Sequence, residues 1–177
     1  MNKITSLLFL VIFVLNFSCK ENTSHTQIEN KKPHADEPSL SVEFVYKTNK
    51  TDVFKIMMNN IKVDELQTKH IHITENVIPT TSNDVIEANF DPNNLSKQIV
   101  LHLGNKTEKS VTINRILISY GDIFFDLNSV QDFNKHLVFN KFIIRDSTSN
   151  KLSTKRIDGK LNPTIRIKNS LINQLQR

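Results

Sequence analysis

From Leu40 onward the chain is written in period two. Leu40, Val42, Phe44 and Tyr46 alternate with Ser41, Glu43 and Val45. Successive side chains of an extended strand face opposite sides, so this spacing predicts a half-buried strand. The texture returns at Phe54, Ile56 and Met58, at Ile61 and Val63, at Ile71 and Ile73, and at Ile86, Ala88 and Phe90. It returns again at Ile99, Leu101 and Leu103, and at Val111 and Ile113. A phase slip near Asn114-Arg115 then leads to Ile116, Ile118 and Tyr120. Ile123 to Leu127, Leu137 to Ile144, and Ile165 with Ile167 complete the series. Turn signals separate the runs: Asn49-Lys50-Thr51-Asp52, Pro79 to Asn83, Asp91-Pro92-Asn93-Asn94, Gly104-Asn105-Lys106 and the two-residue Gly121-Asp122.

Short strands with turns about every 8–12 residues predict an all-β, antiparallel two-sheet β-sandwich, jelly-roll or Ig-like. Val130, Phe133 and Leu137 predict one short helix over 129–136. Leu171, Ile172 and Leu175 predict a closing helix of two turns. Residues 146–160 read as a polar, turn-rich loop. The core has to stand without disulfides, because the chain has one cysteine.

That cysteine ends a leader. Met1-Asn2-Lys3 precedes an apolar block from Ile4 to Phe17, then Ser18-Cys19. A basic start, an apolar centre and a small residue before the cut make a secretory signal, and the block is short for a membrane span. Cys19 resembles the lipid-acceptor cysteine of a bacterial lipoprotein. Asn16 stands where the usual lipobox has leucine, with Leu15 one step further back, and in this it is similar to the looser signals of Bacteroidota. The resemblance implies a covalent diacylglycerol and palmitate at Cys19 and a lipid anchor in the bacterial cell envelope, at the outer membrane. A plain cleaved signal and an uncleaved anchor are the alternatives. Residues 20–39 hold one large apolar residue, Ile28, and read as a flexible tether. The expected organisation is leader 1–18, lipid-anchored tether 19–39 and sandwich 40–177.

Within the sandwich, Asp52-Val53-Phe54-Lys55-Ile56 and the stretch 98–127 resemble a β-sandwich module of Bacteroidota envelope proteins. So do Phe133 and the tail from Pro163 to Leu175. The module is similar to the jelly-roll of carbohydrate-binding domains. The resemblance implies the fold and carries over no functional residue.

Loss of the leader, with Lys3 and no acid, takes the formal net charge from +5 to +4. No run of like charges forms a nucleic-acid arm, so no nucleic-acid partner is expected. His70 and His72 share a strand face and are candidate ligands for zinc or copper, with scattered carboxylates, His102 or His136 as the only further donors. The competing reading is a solvent-facing pair. Asp84, Glu87, Asp91, Asn93 and Asn94 are candidate oxygen donors for a structural calcium. Asp146-Ser147-Thr148 fits an O-glycosylation pattern of Bacteroidota envelope proteins, with Ser147 as acceptor. No serine stands in a glycine-flanked elbow. Trp is absent, and Tyr46 and Tyr120 fall in the buried phase, which argues against a stacking platform for sugars.

The expectation is therefore a non-enzymatic module, with no cofactor beyond the lipid. It binds a glycan or an envelope protein through sheet edges or the loops 77–84, 91–97 and 146–160, or it is structural. An envelope hydrolase or metal-binding protein on the same sandwich, and an accessory subunit of an envelope assembly, are the alternatives.

Overall fold

The alternating rows require dry faces to meet, and two sheets supply them. The computed structural model describes residues 38–60, 69–92 and 98–175, all within one compact unit, Asp36–Arg177. The strands are β1 (Leu40–Thr48), β2 (Asp52–Asn60), β3 (Lys69–Val77), β4 (Asp84–Asn89), β5 (Ile99–His102) and β6 (Ser110–Tyr120). They continue as β7 (Ile123–Leu127), β8 (Leu137–Phe139), β9 (Ile143–Arg145), β10 (Lys151–Thr154) and β11 (Thr164–Ile167). Two short helices, α1 (Val130–His136) and α2 (Asn169–Ile172), complete the described elements.

One sheet runs β4-β1-β6-β10-β9, with β7 also on β6, and the other runs β3-β2-β5-β11-β8. Every pairing of named strands is antiparallel. The protein is an all-β two-sheet sandwich. β1 pairs with β4 in one sheet while their successors β2 and β5 pair in the other. This is the connectivity of the B, C, E and F strands of immunoglobulin-type sandwiches. Here β6 and β11 flank that nucleus.

The buried rows are the ones the alternation draws. β1 buries every second residue from Leu40 to Thr48. Phe44 stacks on Tyr46 at 5.0 Å between ring centroids, and Tyr46 meets Phe54 of the facing sheet at 5.2 Å. The Tyr46 hydroxyl donates to Asp84 Oδ2 at 2.9 Å, which satisfies the one polar atom of a buried ring. Burial, with that bond and the nearby Asp84 charge, drives its pKa far above the ordinary tyrosine value.

The phase slip in β6 is a β-bulge. Val45 opposes Arg115 and Tyr46 opposes Ile113, so Asn114 is the extra residue. It lets both Ile113 and Ile116 point inward. In α1 the Ser129 hydroxyl accepts from the Asp132 amide at 3.1 Å and donates to Asp132 Oδ2 at 2.6 Å, while Phe133 goes into the core. We predict that Ser129→Ala lowers stability by about 1 kcal/mol and Ser129→Gly by only a few tenths, read from urea unfolding midpoints.

Three expectations change. The run from Leu137 to Ile144 is two strands in different sheets, because Asn140 turns the chain. Its amide donates to Thr164 O, its side chain donates to Asn162 O, and its Oδ1 accepts from the Phe142 amide. The segment 146–160 is two loops separated by β10, whose inward residues Leu152 and Thr154 are buried. The closing helix is one turn, although Leu171, Ile172 and Leu175 are all buried as expected. The leader 1–18, Cys19, the tether apart from Pro38 and Ser39, Ile61, Val63, Asn93 and Asn94 lie outside the described residues. Among the described residues, no helix is long and apolar enough to cross a membrane.

Candidate functional site

β1 gives the sandwich two ends. At its start Leu40 lies opposite Tyr120, and the Phe90 amide donates to Leu40 O at 2.9 Å. At its finish, about 26 Å away at 3.3 Å per residue, Thr48 lies opposite Val111. Loops 49–51, 78–83, 103–109, 140–142 and 155–163 gather at this second end. Backbone bonds join them: Asn49 N to Ser110 O, Thr80 N to Thr48 O, Leu103 N to Pro163 O, Thr154 N to Lys109 O and Lys155 N to Phe142 O.

The centre of this end is an ion pair with both side chains fully shielded from water. Lys109 Nζ lies 2.5 Å from Asp52 Oδ2 and donates to Leu103 O at 2.8 Å. Asp52 Oδ2 also accepts from the amides of Lys106 and Thr107 at 3.1 and 3.2 Å, and Oδ1 from Val53 N at 2.7 Å. Four donors on one carboxylate fold loop 103–109 around it.

Burial pushes the Asp52 carboxyl up, but the Lys109 bond and the Val53 and Thr107 amides more than reverse this and hold it below its ordinary value. The same desolvation draws Lys109 below the ordinary lysine value, against the pull of Asp52. The carboxyl decides the state. With four donors it stays a carboxylate, and that charge keeps the ammonium beside it. Asp52, the last residue of the turn expected over 49–52, opens β2 and is 1% exposed.

Gly104 makes the approach possible. Its φ is +76°, and a Cβ there would overlap the Asp52 carboxylate. His102 braces the same loop. Its Nδ1 accepts from Gly104 N at 3.2 Å, so Nε2 carries the hydrogen and donates to Asn162 Oδ1 at 2.9 Å. Burial lowers the His102 pKa, and the Lys55 and Lys109 charges add to this, so the neutral ring is the stable form.

Loop 155–163 is tied to loop 103–109 by Arg156. Its guanidinium donates to Lys106 O at 2.8 Å and Gly159 O at 3.1 Å, and its amide donates to Glu108 Oε1. Ile157 and Lys160 exchange both backbone bonds across Asp158-Gly159, with φ of 50° and 75°. That is the two-residue turn in which both central residues need positive φ, and Asp-Gly suits it.

The clamped loops carry Lys50, Lys106, Lys141, Lys155, Arg156 and Lys160, all exposed, against two exposed acids, Glu108 and Asp158. The surplus equals the formal +4 of the chain from Cys19 onward. A preorganised basic pole of this kind raises the local concentration of anions.

The expected site residues lie elsewhere. His72 is exposed on β3 opposite Met57, and His70 sits opposite Asn59, its side chain outside the described part. Among the described residues no group of three or more His, Cys, Asp or Glu is arranged to hold a metal. Asp84 shares the inward phase of β4 with Ile86, whereas Glu87 points outward, so the pleat places those two calcium candidates on opposite faces. Outside those candidates, Arg115 pairs with Asp126 and Glu43 on the outer face of the β1 sheet. Ser147 is exposed on a turn that Asp146 fixes through the amide and hydroxyl of Thr148. Phe124, at 66% exposed, is the outward member of the Phe124-Phe125 pair.

Fold and site together define an all-β two-sheet sandwich with a clamped, basic loop end. The chain matches no known protein family, no curated protein and no solved structure.

Proposed function

We propose that this protein is a lipid-anchored envelope lipoprotein whose sandwich is a non-enzymatic binding or structural module. One arrangement supports the reading most. The chain comes into the sandwich at the Leu40 end of β1, and the clamped loops stand at the Thr48 end. A domain held by a lipid at Cys19 and the segment 20–39 presents those loops on the side away from its own attachment.

Each buried CH₂ of the lipid contributes about 0.8 kcal/mol, so several acyl chains give a stable anchor. Loops positioned by a rigid sandwich are where recognition commonly sits. Here the backbones of loops 103–109 and 155–163 are fixed by Asp52, His102 and Arg156, which leaves the exposed Lys106, Lys155 and Lys160 side chains to meet a partner.

Labelling cells with radioactive palmitate is expected to mark the protein and to leave Cys19→Ser unmarked. The variant should also move from the membrane to the soluble fraction. An intact mass showing a free thiol at Cys19 overturns the lipoprotein reading.

A further inference from the structure

We propose that the basic pole binds a polyanionic glycan, a sugar polymer carrying carboxylate or phosphate groups along its length. This rests on the reading of the sandwich as a binding module and is independent of the lipid.

Five of the six exposed cations are lysines. Each is a point charge on a flexible stem, suited to a repeating anion rather than to one fixed, forked contact. The single arginine, Arg156, spends its guanidinium on Lys106 O and Gly159 O and so acts as a clamp. The lysine-bearing backbones do not have to be ordered when a ligand arrives: Asp52 and Arg156 order loops 103–109 and 155–163, Asn49 bonds Ser110 beside Lys50, and Asn140 bonds Thr164, Asn162 and Phe142 beside Lys141.

The surroundings select among anions. The nearest ring, Phe142, is half-buried with the Lys141 ammonium 5.5 Å over it, and no tyrosine is exposed at the pole. A surface without stacking platforms does not suit unpaired nucleobases. Ile78, at 64% exposed, is the one large apolar side chain exposed among the described residues of these loops. A protein interface needs a cluster of buried anchors, which one isoleucine does not make. Between the lysines stand exposed Asn49, Thr51, Asn105, Thr107 and Asn162. Their amides and hydroxyls match the hydroxyls that a sugar polymer carries between its charges.

The test uses the full chain purified in detergent, with immobilised polygalacturonate as the anionic glycan and dextran as the neutral one. Binding to polygalacturonate and not to dextran is expected, weakening about tenfold as salt rises from roughly 50 to roughly 300 mM. The triple variant Lys106→Gln, Lys141→Gln, Lys160→Gln removes three pole charges whose side chains make no hydrogen bond or ion pair among the described residues; only the Lys141 contact over the Phe142 ring goes with them. It should lose at least about tenfold in affinity, beyond the screening of three remote charges. A control triple, Lys135→Gln, Lys151→Gln, Arg166→Gln, removes the same charge elsewhere and should stay within about twofold.

Equal losses in the two triples would mean that net charge alone drives binding and would overturn the proposal. So would tighter binding to phosphatidylglycerol vesicles or to duplex DNA than to the glycan, or no binding to polygalacturonate at low salt. Cys19→Ser should bind as the parent does. A free thiol at Cys19 with binding intact removes only the lipid reading, and lost binding in Cys19→Ser removes this one.

Discussion

Asp52→Ala is expected to destabilise the protein by about 3–5 kcal/mol, measured by urea unfolding. The contact itself is not worth that much. The effect comes from what is left behind: a fully shielded Lys109 ammonium with only Leu103 O as an acceptor, and two loop amides, Lys106 and Thr107, without their carboxylate. Lys109→Met should cost less, because Asp52 keeps three backbone donors. The double variant Asp52→Leu, Lys109→Met buries no charge. It should recover much of the loss, so the pair should be strongly non-additive.

The pair also gives an acid signature. The folded Asp52 pKa lies below the unfolded value of about 3.9. Its contribution is complete above that value and disappears as pH falls through the lower folded one. His102 adds a loss at milder acidity, since its folded pKa is also depressed: stability declines as pH falls below the unfolded value of about 6.5 and stops declining below the folded one. Unfolding free energies measured from pH 7 downward should show both steps, and Asp52→Asn should lack the lower one. An unchanged profile in Asp52→Asn would exclude the carboxylate as the clamp.

Gly104→Ala is expected to be as damaging as the loss of Asp52, again about 3–5 kcal/mol, although it removes no group. The added methyl falls on the Asp52 carboxylate, and the backbone is already in the left-handed region at φ +76°. Strain from φ alone accounts for about 1–2 kcal/mol. The remainder is the carboxylate being pushed off Lys109. Gly104→Ala placed on Asp52→Ala should therefore cost only the smaller figure. A full additive cost would mean that the clash involves something other than Asp52.

Much of the sandwich was legible because a half-buried strand writes its own phase. Leu40 to Tyr46, Phe54 to Met58, Ile86 to Phe90 and Ile99 to Leu103 all bury the residues that the alternation selects. Even the bulge at Asn114 was visible, since inward isoleucines switch from odd to even positions across it. β10 was not visible, because Leu152 is its only large apolar residue. Nor was the split at Asn140, where an apolar run continues through a turn fixed by bonds to Asn162 and Thr164.

The clamped pole was illegible for a different reason. Asp52 reads as a turn residue and Lys109 as part of a polar loop, and 57 positions separate them. Arg156 meets Lys106 across 50. No local pattern marks such partners. Turn signals such as Asn49 to Asp52, Gly104-Asn105-Lys106 and Asp158-Gly159 mark where the chain bends, but not which loop meets which.

The amino-acid order alone determined that this chain makes antiparallel strands with one dry side each, because period-two burial is a property of neighbouring residues. Which sheet each strand joins, and which charges share an end, depended on how β1, β2, β5, β6 and β10 were brought together. Coulomb attraction and desolvation act through space, so the charge of Asp52 acquires its meaning only when the closed sandwich shuts water away from it.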